Sequence, residues 1–198
     1  MSAEQVCGTS RIVGCRFSLY VMSDRFVEII LGVLNEVDTS KVWVKTDDVS
    51  TCIRGRQTHV FDVTKAIYVK AALSGLHVSL NGTYSIGCPG DSEGDVYMIE
   101  DDVPMNEEAI RGANVRTACQ FALYPLSASN YMDLIYAGCR PAQERGTFSG
   151  GVHYASRLDG SADDVFASLS EAFDVVQKES SHTVLTFNLS ANSPSKNK

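Results

Sequence analysis

Apolar and polar residues alternate from Arg16 to Tyr20, which is the two-residue period of a β-strand. Ser23 then precedes a stripe of apolar residues at helical spacing, and we read it as the N-cap of an amphipathic helix. Two further alternating runs, Lys41 to Thr46 and Val49 to Arg54, are separated by a short polar turn. This pattern predicts a strand, a helix and a β-hairpin, in that order.

A second helix is predicted after Gly55, because Val60, Phe61, Thr64, Ile67 and Ala71 fall on one face. The segment from His77 to Ser85 alternates again and ends in a Gly-containing turn. The complete order is therefore β-α-β-β-α-β, which is typical of a ferredoxin-like unit.

The same order of segments returns in the second half of the chain. CRFSLYVMS, from Cys15, matches CQFALYPLS, from Cys119, at five of nine positions. HVSLNGTYSIGCPG, from His77, is paralleled by HTVLTFNLSANSPS, from His182. The offset is 104 residues at the first pair and 105 at the later ones, so one inserted residue reconciles the two copies. We infer a duplicated unit. In the second copy, Pro141 is predicted to end or kink the first helix near Arg140.

The predicted fold class is therefore α+β. It consists of two tandem ferredoxin-like (βαββαβ) repeats. Each repeat is expected to form an antiparallel four-stranded sheet with two helices on one face. The expected boundaries are 7–90 for the first repeat, 91–114 for an acidic linker and 115–195 for the second repeat. We expect the polar faces of the sheets to be covered by packing sheet on sheet, within the chain or in a dimer.

The segment Gly87 to Asn114 contains eight acidic residues and one arginine, so it carries as much net charge as the whole chain, −7. We interpret it as a solvated connection between the repeats. The alternative is a cation site made by its carboxylates, but the segment lacks the spacing of a calcium-binding loop.

Composition narrows the classes of function. The 198 residues are 44% hydrophobic and 21% charged, enough to form a core, and the acidic balance with dispersed Lys and Arg disfavours binding to nucleic acid. No run is apolar enough for a membrane span or a signal peptide, so we expect a cytoplasmic protein. The six cysteines are scattered singly, which predicts reduced, mostly buried thiols and neither a metal site nor a cofactor.

The chain offers little sign of catalysis. Common nucleophile, phosphate-binding and zinc-protease motifs are missing from the sequence. His77 and His182 hold equivalent positions at the start of the last strand of each copy, which indicates a repeated structural role. His153 stands where the first copy has Asp48. We therefore predict no catalytic residue.

Strand parity points to a binding site instead. The side of the third strand that carries Ile53 also carries Thr51, and the equivalent position of the second copy is Ser156. Each repeat thus places one hydroxyl on its apolar face, where a group without a hydrogen-bond partner costs roughly 1 to 3 kcal/mol. Bonding to nearby backbone is one explanation. A ligand pocket between sheet and helices is the other, and the recurrence in both copies favours it.

The last strands differ at one apolar-side position, where the first copy has Gly82 and the second has Phe187. If a pocket lies there, the first is the larger, and two unequal sites follow. The alternative is that Gly82 marks a bulge or a close approach of another backbone.

Longer stretches in both halves of the chain carry a further indication. They are CGTSRIVGCRFSLY, VSTCIRG, NGTYSIGCPGD, CQFALYP, GVHYASRLDG and NLSANSPS. Together they resemble the YkoF family of thiamin- and hydroxymethylpyrimidine-binding proteins, from about Cys7 to Ser195. The resemblance implies tandem ferredoxin-like repeats, one ligand per repeat, association as a homodimer, and a role in uptake or salvage alongside a pyrimidine transporter.

The resemblance also implies site residues. It points to Leu19 and Thr51 in the first repeat and, through the duplication, to Leu123 and Ser156 in the second. Gly82 is added by the comparison of the last strands, and three residues are nominated for their position alone: Asp48, Tyr84 and His153.

The expected function is thus a non-catalytic protein that binds thiamin or hydroxymethylpyrimidine and needs no cofactor. An enzyme that processes these compounds, or a regulatory subunit that responds to them, is the alternative.

Overall fold

The computed structural model describes residues 12–88 and 101–197. It confirms the order of elements predicted for each copy. The ends of the strands differ from the predicted ends by at most three residues. The first repeat comprises β1 (Val13–Val21), α1 (Phe26–Glu36), β2 (Trp43–Thr46), β3 (Thr51–Gly55), α2 (Gln57–Ala72) and β4 (Val78–Ile86). The second comprises β5 (Arg116–Pro125), α3 (Tyr131–Arg145), β6 (Phe148–Val152), β7 (Ala155–Ser161), α4 (Ala162–Gln177) and β8 (Thr183–Ala191).

The two four-stranded sheets join edge to edge. Strands β4 and β8 pair antiparallel along their whole length, which produces one eight-stranded sheet in the order β2-β3-β1-β4-β8-β5-β7-β6. The helices pack on one face of this sheet over a single continuous hydrophobic core, and α2 contacts α4 across the junction. The expectation of sheet-on-sheet packing within the chain was therefore wrong, because the repeats associate through strand edges, and the elements of residues 12–88 and 101–197 add no second layer on the other face of the sheet.

The junction has an approximate two-fold axis at Gly82 and Phe187. These two residues are equivalent in the duplication and are also direct partners in the β4–β8 ladder. A Cβ atom added at Gly82 would lie 2.7 Å from the carbonyl oxygen of Arg16, 2.8 Å from Phe17 Cβ and 2.9 Å from Phe187 Cζ. The space that the glycine leaves is thus occupied by the ring of Phe187, and the predicted enlargement of the first pocket was wrong.

Tyr84 lies in the core beside this junction. Its ring stacks on Phe61 of α2 with centroids 3.9 Å apart and on Phe187 with centroids 4.8 Å apart. The side chain is fully buried, and burial raises the pKa of its hydroxyl well above the usual range. Tyr84 therefore ties α2 of the first repeat to a strand of the second.

Helix α3 does not end near Arg140. It continues through Pro141 to Arg145 and stops at Gly146, whose φ of 76° is the left-handed conformation that favours glycine at a helix C-terminus. The ring of Pro141 removes one N–H donor, but the flanking residues keep helical geometry for another turn. The prediction that this helix ends at the proline was wrong.

The described part of the acidic segment, from Asp101 onward, is docked on the first repeat. Asp101 pairs with Lys41 at 2.7 Å and Asp102 with Arg56 at 2.7 Å. The hydrogen bond from Lys41, followed by that from the Val103 N–H, lowers the pKa of Asp101 to about 2. This part is exposed along most of its length, as expected for a solvated connection, but its ion pairs fix it to the first repeat. The stretch from 89 to 100 lies outside the described residues.

A buried polar network anchors the same segment. Asp62 of α2 accepts hydrogen bonds from the backbone N–H groups of Met105 and Asn106 and from the side-chain amide of Asn106. The amide of Asn106 also exchanges hydrogen bonds with the backbone of Asp38, at 2.8 and 2.9 Å. Asp62 and Asn106 are both buried, so each needs the other to satisfy its polar atoms.

The cysteines agree with the expectation of reduced thiols. Those within the described ranges form no disulfide bond with one another, and Cys15, Cys119 and Cys139 are buried. Burial raises the pKa of Cys15 and Cys119. Cys7 lies outside the described residues. In the part of the chain that the structure covers, none of the helices has the length and apolar character required to span a bilayer.

Candidate functional site

A cavity of about 610 Å³ lies in the second repeat, between the strands β5 and β7 and the helix α3. Its volume is in the range usual for small-molecule sites. The side chains around it are uncharged and mostly apolar or aromatic, and they come from Phe121, Ala122, Leu123, Tyr124, Pro125, Leu126, Ala128, Tyr131, Ile135, Cys139, Tyr154, Ala155 and Ser156. The predicted residues Leu123 and Ser156 are thus brought together in one cavity.

Strand alternation and a helical glycine give the cavity its floor. Phe121 and Leu123 of β5 point to the helix side of the sheet and are buried. A Cβ atom at Gly138 of α3 would approach Leu123 Cδ1 to 2.6 Å. Gly138 thus lets α3 lie close to the sheet here, and Ile135 and Cys139 of the same helix close one wall of the cavity.

The polar groups of the cavity are few. Ser156 Oγ lies 3.7 Å from Cys139 Sγ, and either atom can donate in this weak hydrogen bond. Burial raises the pKa of the Cys139 thiol, so it stays protonated at neutral pH. The Ser156 hydroxyl therefore has only a weak protein partner and keeps hydrogen-bonding capacity for a ligand.

Tyrosines form the rim. Tyr124 and Tyr131 are about half exposed, and Tyr154 is fully exposed at the turn between β6 and β7. Tyr154 adopts a φ of 68°, which is uncommon for a residue other than glycine. Tyr131 and Tyr124 were missed as candidate site residues, although their counterparts Phe26 and Tyr20 are also aromatic and half-exposed. That recurrence of exposed aromatic residues is the signal that could have identified them.

The equivalent residues of the first repeat have different hydrogen-bond partners. Leu19 is half-buried and packs on the core, and Thr51 is buried on the helix side of β3. Thr51 Oγ1 lies 3.0 Å from Oγ1 of Thr46, its direct partner on β2. The first repeat therefore already provides its hydroxyl with a strong hydrogen bond.

The other nominated residues lie away from these groups. Asp48 and His153 are exposed on the β2–β3 and β6–β7 turns, and His153 is adjacent in sequence to Tyr154. Tyr84 belongs to the core of the junction, and Gly82 is in contact with Phe187. Tyr84 lies on the same side of β4 as Leu80, and both side chains are buried.

A second concavity, of about 480 Å³, lies on the helix-free face of the sheet. Its floor comes from the polar sides of the central strands, and the turns that carry Val49 and Tyr154 border it. The Asn81 amide oxygen in this floor is shielded from solvent, and no described residue donates a hydrogen bond to it. This face is thus more polar than the cavity beneath α3.

The comparisons with known proteins agree with the duplication. A model of the YKOF-related family matches residues 12–91 and again 116–196. The chain belongs to this family. A Bacillus subtilis (strain 168) protein named "Putative HMP/thiamine-binding protein YkoF" is 53% identical over 193 residues, which cover 98% of this chain and 96% of that protein.

The two matches to the YKOF-related family correspond to the two repeats of the structure, one on each side of the docked acidic segment. Each match includes the first-strand leucine and the third-strand hydroxyl, namely Leu19 and Thr51 in one repeat and Leu123 and Ser156 in the other. Within residues 12–88 and 101–197, no three His, Cys, Asp or Glu side chains come together as a metal site.

Proposed function

We propose that this protein binds thiamin or its hydroxymethylpyrimidine (HMP) precursor, one molecule per repeat, and releases it unchanged. The observation that carries the proposal is the uncharged, tyrosine-rimmed cavity with the weakly bonded hydroxyl of Ser156 in its wall. The relative with an HMP/thiamine-binding name, similar over nearly the whole chain, supports the same ligand class. The equivalent position of Thr51 supports a second site.

The chemistry of the ligand fits these groups. An aminopyrimidine is a flat ring with acceptor nitrogens and one amino donor, which suits apolar walls and a few fixed polar groups. A serine or threonine hydroxyl donates to a ring nitrogen. The thiazolium of thiamin is a cation, which the faces of Tyr124, Tyr131 or Tyr154 and the acidity of the chain favour.

The two hydroxyls give a direct test. We expect calorimetry with thiamin to detect two sites, with Ser156→Ala weakening one and Thr51→Val the other, each by about tenfold, because one hydrogen bond to the ring is lost. Ser195→Ala, an exposed serine far along the chain from either strand, is the control and should leave both affinities unchanged. No heat of binding for thiamin or HMP at millimolar concentration would contradict the proposal. So would a new product detected by mass spectrometry after incubation.

We further infer a role in the uptake or salvage of thiamin precursors in the cytoplasm, in functional connection with a pyrimidine transporter. This role is supported by the resemblance of the chain to a family that binds hydroxymethylpyrimidine, a precursor, as well as thiamin itself. A deletion strain should need more external HMP to grow when its own synthesis is blocked. Unchanged growth at limiting HMP would contradict the role without affecting the binding proposal.

We also propose that two copies associate through the helix-free face of the sheet. Its support is the concavity on that face, over which the described residues form no covering layer. We expect the native protein to have the mass of a dimer in light scattering, and Thr83→Arg, in the floor of the concavity, to produce monomers. Leu73→Arg, exposed at the end of α2 on the helix side, is the control and should remain dimeric. A monomeric native protein at tens of micromolar would overturn the proposal.

A further inference from the structure

The hydroxyls assigned to the two ligand sites have different partners, although the strands that carry them are equivalent. Thr51 is paired across the β2–β3 ladder with Thr46, and the two Oγ1 atoms lie 3.0 Å apart. In the second repeat the direct cross-strand partner of Ser156 is Gly151, which has no side chain to offer. Position 151 is the equivalent of position 46 in the duplication.

The second repeat instead gives its hydroxyl a partner from the helix. Cys139 Sγ lies 3.7 Å from Ser156 Oγ, and the first repeat has Leu34 at the position equivalent to Cys139. A thiol is a weak donor and a weak acceptor, whereas a hydroxyl is strong in both roles. The hydroxyl of Thr51 is therefore held in one orientation more firmly than that of Ser156.

A cross-strand hydroxyl does not compete with the ligand. When Thr51 donates to a ring nitrogen it can accept from Thr46, and when it accepts from the ligand amino group it can donate to Thr46, because a hydroxyl has one donor and two acceptor positions. In both arrangements the Thr46 bond polarises Thr51 and fixes its rotamer before the ligand arrives.

We propose that Thr46 is a positioning residue of the first ligand site, and that the absence of its counterpart at Gly151 makes the two sites differ in affinity. The inference rests on the proposed binding of thiamin by both repeats. It attributes the difference in affinity to the edge strands β2 and β6, and not to the difference in size between Gly82 and Phe187. The ligand is not required to touch Thr46.

The structure permits the reciprocal exchange. A Cβ atom at Gly151 meets no atom within 4 Å, and the φ of this glycine is outside the left-handed region that opposes a side chain. A threonine there lies opposite Ser156 in the same register that joins Thr46 to Thr51. A valine at 151 has nearly the same shape without the hydroxyl, so it separates hydrogen bonding from packing.

The test uses calorimetric titration with thiamin, one site at a time. In the Ser156→Ala background, where the second site is already weakened, Thr46→Val should weaken binding at the first site by about threefold to tenfold, and Thr46→Ser should restore it, since only the hydroxyl matters. In the Thr51→Val background, Gly151→Thr should tighten the second site by about threefold, and Gly151→Val should not.

Further measurements separate positioning from structure. Once Thr51 is valine, Thr46→Val should cause no additional loss, because it then has no hydroxyl to orient. The inference is overturned if Thr46→Val leaves first-site affinity unchanged, if Thr46→Ser fails to restore it, or if Gly151→Val tightens the second site as much as Gly151→Thr. A native protein without any thiamin binding would instead contradict the proposed function.

Discussion

Gly82→Ala should lower the free energy of unfolding by about 3 kcal/mol, because the added methyl group has no room at the junction of the repeats. Its carbon would lie 2.7 Å from the backbone oxygen of Arg16 and 2.8 Å from Phe17 Cβ, neither of which is the end of a flexible side chain. Alanine has less conformational freedom than glycine in the unfolded chain, and this effect offsets less than about 1 kcal/mol of the loss in stability. Urea denaturation followed by circular dichroism measures the difference.

Gly32→Ala is the matched control. Gly32 is exposed on α1, a Cβ atom there meets nothing within 4 Å, and alanine favours a helix, so this variant should be at least as stable as the native chain. Adding Phe187→Leu to Gly82→Ala should recover little, because the two closest obstacles belong to β1. Native-like stability of Gly82→Ala would show that the junction can expand.

Asn106→Ala should cost about 3 kcal/mol of unfolding free energy and release the docked acidic segment. The substitution removes the amide that bonds to Asp62 and to the backbone of Asp38, so a buried carboxylate and two backbone groups lose partners together. Denaturant unfolding measures the cost, and hydrogen exchange in the stretch after Asp101 locates it.

Asn114→Ala tests the same substitution in the same segment. Asn114 is exposed, so its truncation should change stability by less than about 0.5 kcal/mol. An equal denaturation midpoint for Asn106→Ala and Asn114→Ala would mean that the Asp62 network contributes nothing. Faster exchange only near Asn106, with an unchanged midpoint, would also contradict the expected global loss.

The local pattern of apolar and polar residues was sufficient to predict the order of the helices and strands and the face of each strand that is buried. Period-two alternation placed Thr51 on the apolar side of its strand. The duplication then carried the same assignment to Ser156, which lies in the cavity beneath α3, since equivalent residues of a repeat occupy equivalent positions. The nomination of Tyr84 did not use this alternation, and Tyr84 shares the buried side of β4 with Leu80.

Neighbour relations could not be predicted in this way. Alternation tells which face a residue occupies but not which strand lies beside it, so the β4–β8 pairing and the contact of Gly82 with Phe187 were beyond its reach. The charge of the acidic segment was equally uninformative, because its docking depends on the amide of Asn106 and on specific ion pairs. A partner such as Thr46 becomes visible only when the register of the hairpin is known.

The pairing of Gly82 with Phe187 restricts which two repeats can associate through these strand edges. Two identical units joined by the same strand edges would place two copies of one residue on the two-fold axis. Two phenylalanines would collide there and two glycines would leave a hole, whereas one of each fills the space. The ring of Phe187 fills the space beside Gly82, so the junction favours pairing of the first repeat with the second over pairing of either repeat with a copy of itself. Separated and mixed, the two repeats should reassemble as a heterodimer in preference to either homodimer.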